Sequence, residues 1–263
     1  MVDDNGGSGR PAKDAPTIKS VETSFAIVEA LQDLESATMT EIAEYTDLSK
    51  GGIYKHLKTL QANSFVIKDG NEYRLGLRFL DVGGQLRFKY PGASIIKAKI
   101  QELAEETNEA CLFTVRENDR AVTLFRETGN RGVSTRTRVG TRLYLHQTAG
   151  GKAILSQLPR SDVEDLIETA GLPRATSNTI TEPEALFDEL EEVRERGYAY
   201  NRAESTEGLI AIAAPLVPNE TVLGACAITG PYHRMKGDTL TNEVPDMLLS
   251  VVNELELNIA HSR

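Results

Sequence analysis

A chain of 263 residues, 40% hydrophobic and 26% charged, is long enough for one large domain or two ordinary ones, each with a buried core. No stretch approaches the roughly 20 apolar residues that span a bilayer, and residues 1–16 are too polar for a signal peptide, which predicts a cytoplasmic protein that does not meet a membrane. Two cysteines, Cys111 and Cys226, rule out a disulfide framework or a four-cysteine zinc site, and the formal charge of −10 disfavours nucleic-acid binding unless basic residues cluster.

They do cluster, as the elements taken in chain order reveal. Val21, Phe25, Val28 and Leu31 recur at three- and four-residue spacing and predict one helix over residues 17–34. After a polar break, Thr38 or Thr40 can cap a short second helix, with Thr38 and Glu41 at capping-box spacing and Ile42 and Ala43 pointing inward. Tyr45-Thr46-Asp47-Leu48 reads as a turn, and Ser49 can cap a third helix running to about Ala62. Two alternating runs, Phe65-Val66-Ile67-Lys68 and Glu72-Tyr73-Arg74-Leu75, flank Asp69-Gly70-Asn71 and predict a β-hairpin. Helical spacing returns over residues 77–89, weakened by Gly83-Gly84, until Tyr90-Pro91-Gly92 breaks the chain.

Beyond that break, Ile96, Ile100 and Leu103 predict another helix, followed by strands over residues 109–116, 121–127 and 133–145. Helices are expected over 148–158, 161–170 and 182–196, strands over 199–204, 209–216 and 222–229, and a closing helix from Pro245. Strands, then helices, then strands indicate an α+β fold on an antiparallel sheet. The chain therefore divides into a tail at 1–16, a winged helix-turn-helix at 17–80, a linker helix at 81–92 and a second domain at 93–263.

A helix enters the major groove when one face packs on its own domain and the other offers small, polar and basic side chains. Residues 49–62 have that form: Ile53, Leu57 and Leu60 share one arc, while Gly51, Lys55, Lys58 and Ala62 lie opposite, flanked by Lys50 and Tyr54. Residues 49–60 contain no carboxylate, and most of the chain's acidity lies beyond residue 80. Ser49 and the first N–H groups of the helix can hold a phosphate, Thr40 belongs to the preceding helix, and Lys68 and Arg74 on the hairpin can reach the neighbouring backbone. Three lysines alone would suit an ordinary solvated face, but helices, turn and hairpin in this order favour DNA. Gly51-Gly52 costs helix stability; it either permits close approach to DNA or merely loosens the helix.

The chain strongly resembles the isocitrate lyase regulator (IclR) family of bacterial and archaeal transcription factors. The resemblance is carried by Ile18-Lys19-Ser20-Val21, Thr40-Glu41-Ile42-Ala43, the run Leu48 to Leu60 and Tyr73-Arg74-Leu75-Gly76, and by the run Leu143 to Ala153, Arg196-Gly197-Tyr198, the run Gly208 to Pro215 and Ile228-Thr229-Gly230-Pro231. It implies a winged helix-turn-helix joined by a linker helix to a GAF-like effector domain, and homodimers or homotetramers on double-stranded DNA at partly palindromic operators. It also implies a small-molecule effector pocket, which maps here onto Leu143, Thr148, Ala149, Gly150, Asn201, Leu209, Ala211, Ala227 and Thr229. Two departures stand out: Asn201 occupies a position where an acidic residue is common, and Gly51-Gly52 replaces a small polar pair.

Read from the residues alone, Thr148 to Lys152 is either a carboxylate seat at a helix start or a packing turn whose glycines let backbone approach the sheet. The resemblance favours the pocket, and with it an organic, sugar or aromatic acid. His146 reads as a structural hydrogen-bonding residue. Gly151-Lys152 is no phosphate-binding loop, because His146 stands where its first glycine is required and Ala153 follows the lysine. No cofactor, metal site or catalytic group is expected. Two other readings are a constitutive architectural DNA-binding protein whose second domain only oligomerises, and an enzyme using the pocket; neither cysteine has a histidine near it in sequence, and no paired carboxylates stand out.

Overall fold

The computed structural model describes residues 16–130, 132 and 137–261, and the chain divides into two compact units, residues 1–89 and 90–263. The expected tail at 1–16 lies, but for Pro16, outside the described residues.

In the first unit, α1 (Lys19–Leu34), α2 (Met39–Thr46) and α3 (Lys50–Ala62) pack around Ile27, Ala30, Leu31, Ile42, Ile53 and Leu57, and a small sheet completes the core with Ala37, Val66 and Tyr73. That sheet is β1 (Ser36–Thr38), β2 (Val66–Asp69) and β3 (Glu72–Leu75) in the order β1-β3-β2, all antiparallel. The hairpin turns at Gly70, whose φ of +58° suits a residue without Cβ. Thr38 and Glu41 form the expected capping box: the Thr38 hydroxyl accepts from the Glu41 N–H at 3.3 Å and the Glu41 carboxylate accepts from the Thr38 N–H at 2.7 Å. The Thr38 N–H and the Thr38 hydroxyl, which donates to the same carboxylate oxygen at 2.8 Å, hold the Glu41 carboxyl below its ordinary pKa.

Three expectations are corrected here. The buried face of α1 is Ile27, Ala30 and Leu31, whereas Val21 and Phe25 stay exposed; the helix carries two apolar stripes, and the core takes only one of them. The turn expected at residues 45–48 shrinks to Asp47 and Leu48, because α2 continues to Thr46 and Asp47 takes left-handed φ. The strand β1 was not expected, since three residues carry no readable alternation. The helix α4 (Arg78–Phe88) begins ahead of the 81–92 segment and buries none of its residues.

The second unit is a six-stranded antiparallel sheet in the order β6-β5-β4-β9-β8-β7. The strands are β4 (Ala110–Glu117), β5 (Arg120–Thr128), β6 (Arg142–Tyr144), β7 (Ala199–Arg202), β8 (Leu209–Leu216) and β9 (Gly224–Pro231). On one face α5 (Ala93–Thr107) and α9 (Val244–His261) bury Ile96, Ile100, Phe113, Ile212, Cys226 and Leu255. On the other, α6 (Ala149–Leu155) packs against Leu112, Ala213, Ala225 and Ala227, with α7 (Arg160–Ala170) and α8 (Pro183–Arg196) outside it. Both cysteines are buried thiols outside any disulfide in the first of these layers, and burial pushes the Cys111 thiol up to about 12.

The helix expected over 148–158 ends at Leu155, and of the strand expected over 133–145 the described residues hold only Arg142–Tyr144, residues 133–136 lying outside them. Among the described residues, no helix is long and apolar enough to cross a membrane.

Candidate functional sites

The first site is the outer face of α3. Ser49 caps the helix, its hydroxyl accepting from the Gly52 N–H at 3.3 Å. Ile53 and Leu57 are fully buried and Leu60 partly so, which turns Lys50, Gly51, Tyr54, Lys55 and Lys58 to solvent, with Gly52 half-buried. The Lys58 ammonium stands 5.7 Å from the Tyr54 ring centroid, one turn apart on the helix, and the Lys68 ammonium 5.5 Å from that of its cross-strand partner Tyr73. Thr40, Lys68 and Arg74 are exposed. The face is held by a bond that sequence reading missed, Ser24 Oγ to His56 Nδ1 at 2.8 Å, which ties α1 to α3; nothing in a lone half-buried histidine signals it.

The glycine pair resolves unevenly. A Cβ added at Gly51 would meet nothing within 4 Å, and one at Gly52 would meet only the Ser49 hydroxyl at 3.2 Å. Packing within the chain therefore gives no reason for glycine at position 51.

The second site is a cavity between the start of α6 and the sheet face formed by β4, β5, β8 and β9, with about 630 Å³ of empty space including its open mouth. Every residue that the resemblance points to lines it: Leu143, Thr148, Ala149, Gly150, Asn201, Leu209, Ala211, Ala227 and Thr229. Sequence reading missed Leu112, Thr114, Ala121, Thr123, Thr137, Ser205, Thr206 and Ile210. The available signal was threonine at inward positions of the otherwise apolar runs in β4 and β5. Among the described residues, no charged side chain lines the cavity, so its polarity comes from hydroxyls, one amide and backbone.

Several of those polar groups are committed to the fold. The Thr148 hydroxyl caps α6, accepting from the Gly151 N–H at 2.9 Å, and the Thr229 hydroxyl donates to the Ile210 carbonyl at 3.0 Å. The Asn201 amide donates to the Gln147 carbonyl at 2.8 Å and to the Ser205 hydroxyl at 2.9 Å, and its oxygen accepts from the Glu204 N–H at 2.8 Å. Asn201 thus shapes the wall and does not offer its N–H groups to the interior. The N–H groups of Ala149 and Gly150 precede the first helical carbonyl and have no partner within α6.

Behind this wall lies a buried ionic cluster. The Lys152 ammonium, 1% exposed, is 2.7 Å from Glu204 and 3.3 Å from Glu189, which also pairs with Arg196 at 2.8 Å. It ties α6 and α8 to the loop after β7 that carries Ser205 and Thr206. The glycines before it are packing glycines in different degrees: a Cβ at Gly151 would lie 2.1 Å from the Leu145 carbonyl oxygen, and one at Gly150 would lie 3.1 Å from the Thr114 Cβ. His146 faces a smaller apolar recess under α7, its Nε2 donating to the Pro173 carbonyl at 3.1 Å.

The comparisons agree with both halves. The IclR helix-turn-helix domain model matches residues 20–70, and the model of the bacterial transcriptional regulator IclR C-terminal region matches residues 93–256. The HTH-type transcriptional regulator KipR of Bacillus subtilis is 29% identical over 90% of this chain and 97% of its own length. KdgR of Escherichia coli, also an HTH-type transcriptional regulator, is 28% identical over 88% of this chain and 89% of its own. An IclR homolog from Microbacterium hydrocarbonoxydans, solved in complex with 4-hydroxybenzoate, shares the fold with a TM-score of 0.76 at 19% identity, covering 92% of this chain and 100% of that one. Since the C-terminal model alone takes in more than half of its residues, the chain belongs to the IclR family of transcriptional regulators.

Proposed function

We propose that α3 reads a partly palindromic operator in the major groove and that a small acid metabolite in the cavity of the second unit controls this binding. The observation that carries the reading is the pairing, in one chain, of an exposed basic helix face after a capped turn with a cavity that no charged side chain lines among the described residues. Lys50, Tyr54, Lys55 and Lys58 are the base and phosphate contacts on α3, with Thr40, Ser49, Lys68 and Arg74 on the flanking backbone. Gly51 and Gly52 let the DNA backbone come close, which accounts for a helical glycine that no internal contact requires.

The cavity combines apolar walls with a few polar groups, the lining expected of a small-ligand site. The ligand of the Microbacterium relative, an aromatic hydroxy acid, belongs to the class proposed here. One recognition helix seldom gives enough affinity by itself, so the chain works as a dimer or a pair of dimers. A second copy is the occupant proposed for the apolar surface of the first unit, where Phe25 on α1 is 61% exposed and Leu80, Leu86 and Phe88 on α4 are 67%, 68% and 84% exposed.

Operator titration of the wild type, Lys55→Ala and Ala211→Leu tests the reading. Lys55→Ala should weaken operator binding by about 1–3 kcal/mol. Ala211→Leu should leave operator binding intact while weakening the inducing acid by about 1–3 kcal/mol, the range that a methylene-sized change in a binding pocket carries. A Lys55→Ala protein that binds operator and random DNA like the wild type removes α3 from the interface. An Ala211→Leu protein that still responds fully to the acid moves the effector site elsewhere.

A further inference from the structure

The β4–β5 ladder carries two threonines whose hydroxyls no hydrogen bond of the described fold uses. Thr114 and Thr123 are direct cross-strand partners, and side chains so placed have Cβ atoms about 4.5–5.5 Å apart. They are 8% and 5% exposed, and both line the cavity. Among the described residues, neither hydroxyl has a hydrogen-bond partner. Neither hydroxyl oxygen is fully enclosed, so both reach the cavity's space, where a ligand can meet them, whereas valine has nearly the same shape and offers no such group. The contrast with Thr148, Thr229 and Asn201, whose polar atoms are committed to the fold, marks this pair as open polar groups on the sheet side of the cavity.

The local backbone is arranged to present it. The pairing register slips between Phe113 and Thr114, so Leu124 and Phe125 both pack with the core on the far face while Ala121 and Thr123 keep to the cavity. Such a bulge re-aims side chains at the cost of a broken ladder. Gly150 rests directly over Thr114, where a Cβ would lie 3.2 Å from the hydroxyl oxygen, which puts the pair under the start of α6.

We infer that the Thr114–Thr123 pair anchors a hydroxyl oxygen of the ligand and makes the cavity selective for hydroxylated acids over their unsubstituted counterparts. This rests on the reading of the cavity as the metabolite site. Each threonine hydroxyl both donates and accepts, so the pair can donate to a ligand alcohol or phenol and accept from it at once. A C–H group in the same place would leave both threonines unsatisfied, and sites built to bond a hydroxyl reject analogues that lack it for that reason.

The test uses the full chain, wild type and the double variant Thr114→Val/Thr123→Val, with matched probes: glycolate and acetate, lactate and propionate, 4-hydroxybenzoate and benzoate. Calorimetry on the wild type should give at least one pair in which the hydroxylated member binds tenfold tighter or more, and the double variant should lose that preference. The double variant without ligand should melt at or above the wild-type temperature, because it gives up no hydrogen bond within the described fold. Equal binding within every pair by the wild type overturns the anchor and leaves the cavity a metabolite site. A preference that survives in the double variant assigns it to other residues and overturns the inference. A lower melting temperature for the unliganded double variant shows that the hydroxyls serve the fold and overturns it too. No binding of any probe by wild-type protein that still binds DNA overturns both this inference and the acid reading of the cavity.

Discussion

Two helices in this chain begin with the same pattern, a capping hydroxyl followed by one residue and two glycines: Ser49-Lys50-Gly51-Gly52 opens α3, and Thr148-Ala149-Gly150-Gly151 opens α6. Both caps accept a hydrogen bond from the second glycine. The surroundings are opposite. Position 51 faces open space, while Gly151 sits against the Leu145 carbonyl and Gly150 against Thr114. At α3 nothing inside the chain asks for glycine at position 51; at α6 the chain's own packing demands it. The lysines differ in the same way, since Lys50, Lys55 and Lys58 are exposed and Lys152 is enclosed by carboxylates. One motif therefore serves a surface that meets an outside partner and also an interior joint, and only the neighbours tell which.

The largest effect that can break this comparison comes from the buried lysine. Lys152→Ala leaves Glu204 buried without its cation, and removing one partner of a buried pair costs about 3–5 kcal/mol. Denaturant unfolding measures the loss, and Lys152→Met combined with Glu204→Leu should recover part of it. A Lys152→Ala protein as stable as the wild type would mean that the cluster is hydrated, and that α6 is no more an interior joint than α3.

How far this was legible beforehand follows from the same contrast. The outer face of α3 could be read residue by residue, because a helix turns about 100° per residue and its buried arc, Ile53 and Leu57, is local information. The face of α1 could not, since Val21 and Phe25 continue a plausible stripe and only the placement of α2 and α3 selects Ile27, Ala30 and Leu31. The cavity residues on α6, β8 and β9 were reached through resemblance, not periodicity. Thr114 and Thr123 were missed because their meeting depends on strand pairing and on a bulge, both set by contacts distant in sequence. The commitment of the Asn201 amide to Gln147 and Ser205 was hidden for the same reason.

The glycines supply the next two effects. Gly151→Ala drives a Cβ into the Leu145 carbonyl, so α6 must shift, at about 3 kcal/mol, the upper end of what overpacking costs. Gly51→Ala should have the opposite sign, stabilising the protein by about 1 kcal/mol because alanine is the better helix former, while weakening operator binding. Melting temperatures of both variants, with operator titration of the second, sharpen the comparison. Gly51→Ala that neither stabilises nor weakens binding would show position 51 to be an ordinary surface site.

The smallest effect concerns the turn that leads into α6, and it asks whether that region has the character of a protein interior. His146 is buried there with its Nε2 facing the Pro173 carbonyl. A carbonyl only accepts, so Nε2 carries the proton, and in the neutral ring Nδ1 is bare. Burial lowers the pKa below its ordinary value of 6.5; the bond to Pro173 opposes this, and the charges of Lys152 and Arg120 add to it. The unfolded chain therefore takes up a proton on this ring near pH 6.5, while the folded chain waits for a lower pH. Where the unfolded state binds more protons, stability falls as pH falls, so His146 contributes no pH dependence well above 6.5 and a progressive loss below it. Melting curves between pH 8 and pH 5.5 should bend downward below about 6.5 in the wild type and less so in His146→Gln. Titration of the imidazole by NMR is the direct check: a midpoint at the ordinary value would mean that water reaches this ring, and that the joint before α6 is as open as the face of α3.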